Sequence, residues 1–123
     1  MKYNYAAGKL GAAVLYAMRS EESLPERLQG CFSIFHTLQD DYGYLPPELR
    51  QRFDAMIQAW TRVPNREGVR GTVAATADKM VDREALKWLE EILSLYTEVT
   101  ELEAVRHEKA LNACSKQTQR QAD

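Results

Sequence analysis

The chain has 123 residues, of which 45% are hydrophobic and 28% are charged. These values are typical of a globular protein and exclude wholesale disorder, and the length predicts one domain. Sixteen basic and eighteen acidic residues give a formal net charge of −2, which is too small to indicate a polyanionic or membrane partner.

The first two helices are predicted from apolar spacing and from a capping motif. Apolar residues recur at intervals of three and four over residues 3–20, which predicts a helix. Lys9 and Arg19 bracket only nine uncharged residues, fewer than the ~20 that a membrane span needs, so we expect a cytoplasmic protein. Ser23 with Glu26 is typical of a capping box and predicts the start of the second helix. Its expected buried face is Leu28, Cys31, Phe32, Phe35 and Leu38.

The third helix opens at Pro46-Pro47, because proline is favoured in the first helical turn. Its apolar stripe is the clearest in the chain and comprises Leu49, Phe53, Met56, Ile57 and Trp60. Proline and glycine then interrupt the pattern, which predicts a loop over residues 63–71 and a further short helix near 72–79.

The last helix is predicted to begin at Asp82 and to run to about Leu111. Residues 115–123 are almost entirely polar, so the sequence predicts a single helical domain over 1–114 and a disordered tail after it. No segment shows the alternation of a strand. Short connections favour antiparallel neighbours, so we predict an all-α antiparallel bundle of four main helices with a long C-terminal helix.

No residue pattern indicates catalysis or a metal. A di-iron bundle needs a glutamate three residues before each histidine, and neither His36 nor His107 has one. The two cysteines form no CxxC pair, and no nucleophile motif is present. The carboxylates of the last helix, among them Glu101 and Glu103, are expected on a solvated face. The sequence thus predicts no enzyme, no cofactor and no metal site.

Charge is distributed unevenly along the chain. Over residues 50–71, five arginines against two acids give +3, and over residues 78–108, nine acids against four bases give −5. Arg62, Arg66 and Arg70 form a loop cluster that could contact phosphates, which makes nucleic-acid binding the alternative function. The acidic helix could instead attract a basic partner protein, or it could simply be solvated.

Two tyrosines near the second interhelical connection, Tyr42 and Tyr44, are more apolar than a loop requires. They could pack over the end of the bundle, or they could be exposed and serve as an aromatic anchor for a partner protein.

The last helix is expected to reach about 43 Å, against about 24 Å for the third helix, so its C-terminal third should project. A helix break near Thr100 that folds this third back is the alternative. The projecting third carries Val99, Leu102, Val105 and Leu111, which predicts a homodimer. The favoured function is that of a small non-enzymatic regulator, adaptor or inhibitor that acts through protein–protein interaction.

Overall fold

The computed structural model describes residues 2–65 and 68–122, and for Arg70 and residues 116–122 it describes the backbone only. This part of the chain holds five α-helices, two short 3-10 helices (His36–Asp40 and Tyr42–Tyr44) and no strand, which confirms the predicted all-α class. The α-helices are α1 (Asn4–Arg19), α2 (Leu24–Phe35), α3 (Pro47–Trp60), α4 (Val69–Lys79) and α5 (Asp82–Ala122).

The second and third helices follow their sequence signals closely. The backbone N–H of Glu26 donates to Ser23 Oγ at 3.3 Å, which caps the start of α2. α2 ends at Phe35, and Leu38 reaches the core from the 3-10 helix that follows. Every residue of the two predicted apolar faces is buried: Leu28, Cys31, Phe32, Phe35, Leu38, Leu49, Phe53, Met56, Ile57 and Trp60.

The fourth helix is longer than predicted. α4 begins at Val69, so the predicted loop over 63–71 is too long and the short helix near 72–79 is an 11-residue helix. Gly68 precedes it with φ +86°, a conformation that side chains disfavour, and this turn sends the backbone directly into the helix. Its carbonyl accepts the N–H of Thr72 at 3.0 Å.

One apolar core joins the helices. α1 packs against α2 and α5, α2 also contacts α4 and α5, and α3 contacts α4 and α5. The ring of Phe35 lies at the centre, 5.8 Å from Trp60 and 5.5 Å from Phe53 between centroids. The antiparallel direction of neighbouring helices stays a prediction.

The last helix extends beyond the packed body. α5 has 41 residues, or about 62 Å, and continues without a break through Ala122, so the alternative of a helix break and fold-back near Thr100 is wrong. The tail boundary predicted at residue 115 falls within the helix. The protein exposes 7907 Å², against about 6,700 Å² expected for a compact chain of this mass. An unpacked helical extension accounts for such an excess.

Candidate protein interface

The predicted arginine cluster is not assembled in the described part of the chain. Arg62 follows α3 and forms an ion pair with Glu84 of α5, with Nη2 2.8 Å from Oε1. Trp88 Nε1 also donates to Glu84 Oε2, at 3.1 Å. Hydrogen bonding from Arg62 lowers the pKa of Glu84. Arg66 lies outside the described residues, as does the side chain of Arg70, so Arg62 is the one member that can be placed, and it is paired internally.

The two tyrosines have different surroundings. Tyr44 is half-buried, and its ring centroid lies 4.7 Å from that of Tyr5 in the first turn of α1. Tyr42 is 57% exposed, and the guanidinium of Arg50 lies over its ring at 5.4 Å. Tyr42 therefore retains an accessible aromatic surface, although Arg50 restricts its position.

Arg50 is a structural residue that the sequence prediction missed. Its side chain is buried, and Nη1 donates to the carbonyl oxygens of Leu38 at 2.7 Å and Asp41 at 3.1 Å. Nη2 donates to the Gln39 carbonyl at 3.3 Å, and Nε pairs with Asp54 at 2.9 Å. These bonds tie the 3-10 connection to α3, and the same guanidinium lies over the ring of Tyr42.

The four residues predicted to form the dimer interface do not lie together on one exposed face. Val99 is fully buried in the chain's own core, so it is not available to a second chain. Leu102 and Val105 are 40% and 46% exposed. Leu111 is also exposed, but it follows Leu102 by nine residues, which places it about 180° around the helix. Only Leu102 and Val105 remain together on one face.

Leu102 and Val105 lie in a shallow groove between α3 and α5, which we call the acid-rimmed groove. Leu49 of α3 completes its apolar lining. Three acidic residues also line it: Glu48, Glu98 and Glu101. Apolar side chains beside several carboxylates form a surface that suits a partner with both apolar and basic groups.

An ion-pair network fixes one wall of this groove. Arg52 of α3 bonds to Glu91 and Glu98 of α5, and its Nη2 donates to Ser94 Oγ at 2.9 Å. The hydrogen bond from Arg52 lowers the pKa of Glu98, so that carboxylate is ionised at neutral pH but already paired.

The remaining two carboxylates of the groove, Glu48 and Glu101, are exposed and form no ion pair with the described residues. They are the rim groups best placed to meet a basic partner.

None of the described side chains of α5 after Glu103 is buried. We call residues 104–122 the projecting segment; its described side chains, those of residues 104–115, are all exposed. A single helix without tertiary packing is only marginally stable in water. A second surface that packed on this segment would therefore stabilise it.

Within the described residues, no group of three or more His, Cys, Asp or Glu side chains is placed to hold a metal ion. Burial raises the pKa of the Cys31 thiol to about 12, so this residue is protonated and unreactive. No helix in the same part of the chain is both long and apolar enough to cross a bilayer. Comparison of the chain with protein-family models, with curated proteins and with solved structures finds no match.

Proposed function

We propose that this chain is a non-enzymatic protein-binding domain, acting in the cytoplasm as a regulator, adaptor or inhibitor, whose acid-rimmed groove takes a basic amphipathic segment of a partner protein. One observation carries the proposal: Leu102 and Val105 are exposed together beside Glu48 and Glu101. Grooves between helices commonly receive the apolar face of a partner helix.

The apolar lining and the acidic rim have separate roles in this proposal. Burial of Leu102 and Val105 supplies affinity, since apolar area removed from water is the main favourable term in association. The carboxylates of Glu48 and Glu101 favour lysine or arginine beside the apolar contact and speed the encounter. They also disfavour an acidic partner through like-charge repulsion.

We also propose that the chain forms the predicted homodimer, but through a face other than the acid-rimmed groove. Across a two-fold axis at the acid-rimmed groove, Glu48 and Glu101 would face the same residues of the other copy, and their repulsion would oppose pairing. The nucleic-acid alternative stays an untested prediction, and the internal pair between Arg62 and Glu84 reduces its support.

Two labelled helical peptides test the proposal. Both carry leucines on one face; one has lysines beside them and the other has glutamates. We expect the lysine peptide to bind at least tenfold more tightly in fluorescence anisotropy, and its affinity to fall as salt is added. The double variant Leu102→Lys/Val105→Lys should lose at least tenfold of that affinity.

Val81→Lys is the matched control, because Val81 is 66% exposed and lies about 30 Å from Leu102 along α5. This variant should bind like the wild type, and circular dichroism should show that all variants are folded. Equal binding of both peptides, no binding at all, or unchanged binding by the double variant would each overturn the proposal.

A further inference from the structure

A second apolar groove lies between α1 and α5, on the other side of α5 from the acid-rimmed groove. We call it the α1/α5 groove; Leu93 lines it, and the nine residues from Leu93 to Leu102 turn the helix by about 180°. The other apolar side chains that line it are Val14, Ala17, Met18, Leu89 and Ile92.

Several apolar side chains in and beside the α1/α5 groove are exposed to solvent. Met18 is 78% exposed and Leu93 is 50% exposed, while Leu86, about two turns before Leu93 on the same side of α5, is 47% exposed. A contiguous apolar patch of this kind on a soluble protein usually marks an interaction site.

The projecting segment carries a face that matches this groove. Leu111 follows Leu93 by 18 residues, which is five helical turns, so both lie on the same side of α5. Between them this side presents Thr97, Thr100, Ala104 and His107, of which the first three are small and uncharged. The stretch from Thr97 to Ala104 can therefore approach another helix closely.

We infer that this chain forms a two-fold homodimer in which the projecting segment of each copy lies in the α1/α5 groove of the other. The two α5 helices then run antiparallel, with Leu93 of one copy on Leu111 of its partner. Because the contact is two-fold, it forms twice, once at each groove.

The length of the overlap distinguishes this register from other two-fold pairings. With Leu93 on Leu111, residue 82 of one copy lies opposite residue 122 of the other, so the two helices overlap along the whole of α5, or roughly 60 Å. A pairing of Leu93 with Leu93 would leave the projecting segment bare. The inferred register covers both the projecting segment and the α1/α5 groove. The buried area is therefore closer to the ~800 Å² per partner of a stable interface.

The edge of the groove carries one charge of each sign, Arg27 of α2 and Glu90 of α5, and Nε of Arg27 donates to the Glu22 carbonyl at 2.9 Å. In the inferred register Glu108 lies opposite Tyr96, about 9 Å along the helix from Glu90, so the contact depends on apolar residues and not on a new ion pair. The acid-rimmed groove stays open in this dimer.

Light scattering of the full chain at about 5–100 µM provides the first test. We expect a mass near twice 14.1 kDa, and single variants Leu111→Lys and Met18→Lys should each raise the dimer dissociation constant at least tenfold. Leu111 lies outside the packed body, so its substitution leaves the fold intact. The variant Leu102→Lys/Val105→Lys should stay dimeric, since those residues face the other groove.

A disulfide tests the register. Antiparallel pairing of Leu93 with Leu111 brings residue 90 opposite residue 114, so Glu90→Cys should form an intermolecular disulfide with the exposed Cys114 of the partner copy. Glu101→Cys is the matched control, because in this register residue 101 lies opposite residue 103, about 16 Å along the helix from Cys114, and it should not crosslink above the wild-type level. A mass of 14.1 kDa at every concentration, a dimer unaffected by Leu111→Lys, or equal crosslinking by both cysteine variants would each overturn the inference.

Discussion

The backbone N–H of Tyr3 donates a hydrogen bond to Glu103 Oε1 at 2.8 Å, and this bond joins the start of α1 to α5 across 100 residues of sequence. Tyr3 is the N-cap of α1, and its own side chain makes no capping bond. The Glu103 carboxylate, 6% exposed, therefore acts as a cap supplied by another helix. Its negative charge also lies near the positive end of the α1 dipole.

Replacement of Glu103 should weaken the connection between α1 and α5. We expect Glu103→Ala to lower the free energy of unfolding by about 1–3 kcal/mol, because a buried backbone donor loses its acceptor. Glu103→Gln keeps an amide oxygen that can accept the same bond, and should lose less. Urea denaturation measures both effects.

Glu101→Ala is the control, since Glu101 is an exposed carboxylate on the same helix, two residues before Glu103. Its substitution should change stability by no more than ~0.5 kcal/mol. Equal unfolding curves for Glu103→Ala and Glu101→Ala would contradict the capping role.

Local patterns predicted the apolar faces of α2 and α3, because each face needs only the spacing of residues along one helix. The capping role of Glu103 could not be predicted in this way. On the sequence it is one of several acids on the last helix, and its expected place on a solvated face is wrong because α1 covers it. A bond to Tyr3 across 100 residues leaves no local signal.

The burial of Arg50 has a signal in the sequence, but its bonding partners do not. It follows Leu49 and precedes Phe53 by three residues, so it falls on the buried stripe of α3. An arginine at such a position signals that backbone carbonyls or a carboxylate must meet it inside the protein. That signal identifies a buried arginine, but it does not say which carbonyls bind.

The substitution Arg50→Ala should be strongly destabilising. It leaves the carbonyl oxygens of Leu38 and Gln39 without their donor and removes the guanidinium from between Tyr42 and Phe53. Hydrogen bonds to charged groups contribute about 1.5–3 kcal/mol, so we expect a loss of about 3 kcal/mol in chemical denaturation.

Arg50→Lys should recover only part of that loss, because an ammonium cannot reproduce the planar fork of donors. The control is Arg83→Ala, at an exposed position near the start of α5. If Arg50→Ala melts at the wild-type temperature, the bonds around Arg50 contribute nothing to folding.

Trp60 tests the centre of the core. Its side chain is 1% exposed and stacks on Phe35, so Trp60→Ala should cost about 3–5 kcal/mol through the cavity that it leaves. Trp60→Phe should cost less, since the indole N–H has no hydrogen-bond partner among the described residues. Val81→Ala, at a 66% exposed position outside both grooves, is the comparison. An unchanged melting temperature for Trp60→Ala would show that the face of α3 is misassigned.

Substitutions at two glycines of α1, Gly8 and Gly11, can be compared directly. A Cβ at Gly8 would meet nothing within 4 Å, so Gly8→Ala should raise stability by about 1 kcal/mol through helix propensity alone. A Cβ at Gly11 would lie 2.9 Å from Cε1 of Tyr96, so the ring must move. Gly11→Ala should therefore gain clearly less than Gly8→Ala, or lose stability. Equal gains in thermal unfolding would mean that α1 and α5 do not approach closely at this glycine.

The pair between Arg62 and Glu84 should make stability depend on pH. Its side chains are 42% and 29% exposed, so Arg62→Gln should cost only about 0.2–1 kcal/mol at pH 7. The triple change of Arg62, Arg66 and Arg70 to Gln should likewise leave the protein folded. Urea denaturation of wild type and Arg62→Gln between pH 7 and pH 3 measures the dependence.

The sign of that dependence follows from the carboxyl group. The hydrogen bond from Arg62, helped by Trp88, lowers the pKa of Glu84 in the folded state below its ordinary value of 4.5. The ionised form is thus favoured by folding, and its contribution is complete above pH 4.5 and is lost as the pH falls through the lowered pKa. The difference between wild type and Arg62→Gln should therefore be constant near neutrality and shrink below about pH 4.5. The pair of Arg52 with Glu98 is present in both proteins, so its pH dependence cancels in this difference. If the difference in unfolding free energy stayed constant down to pH 3, Arg62 would act through packing and not through the charge of Glu84.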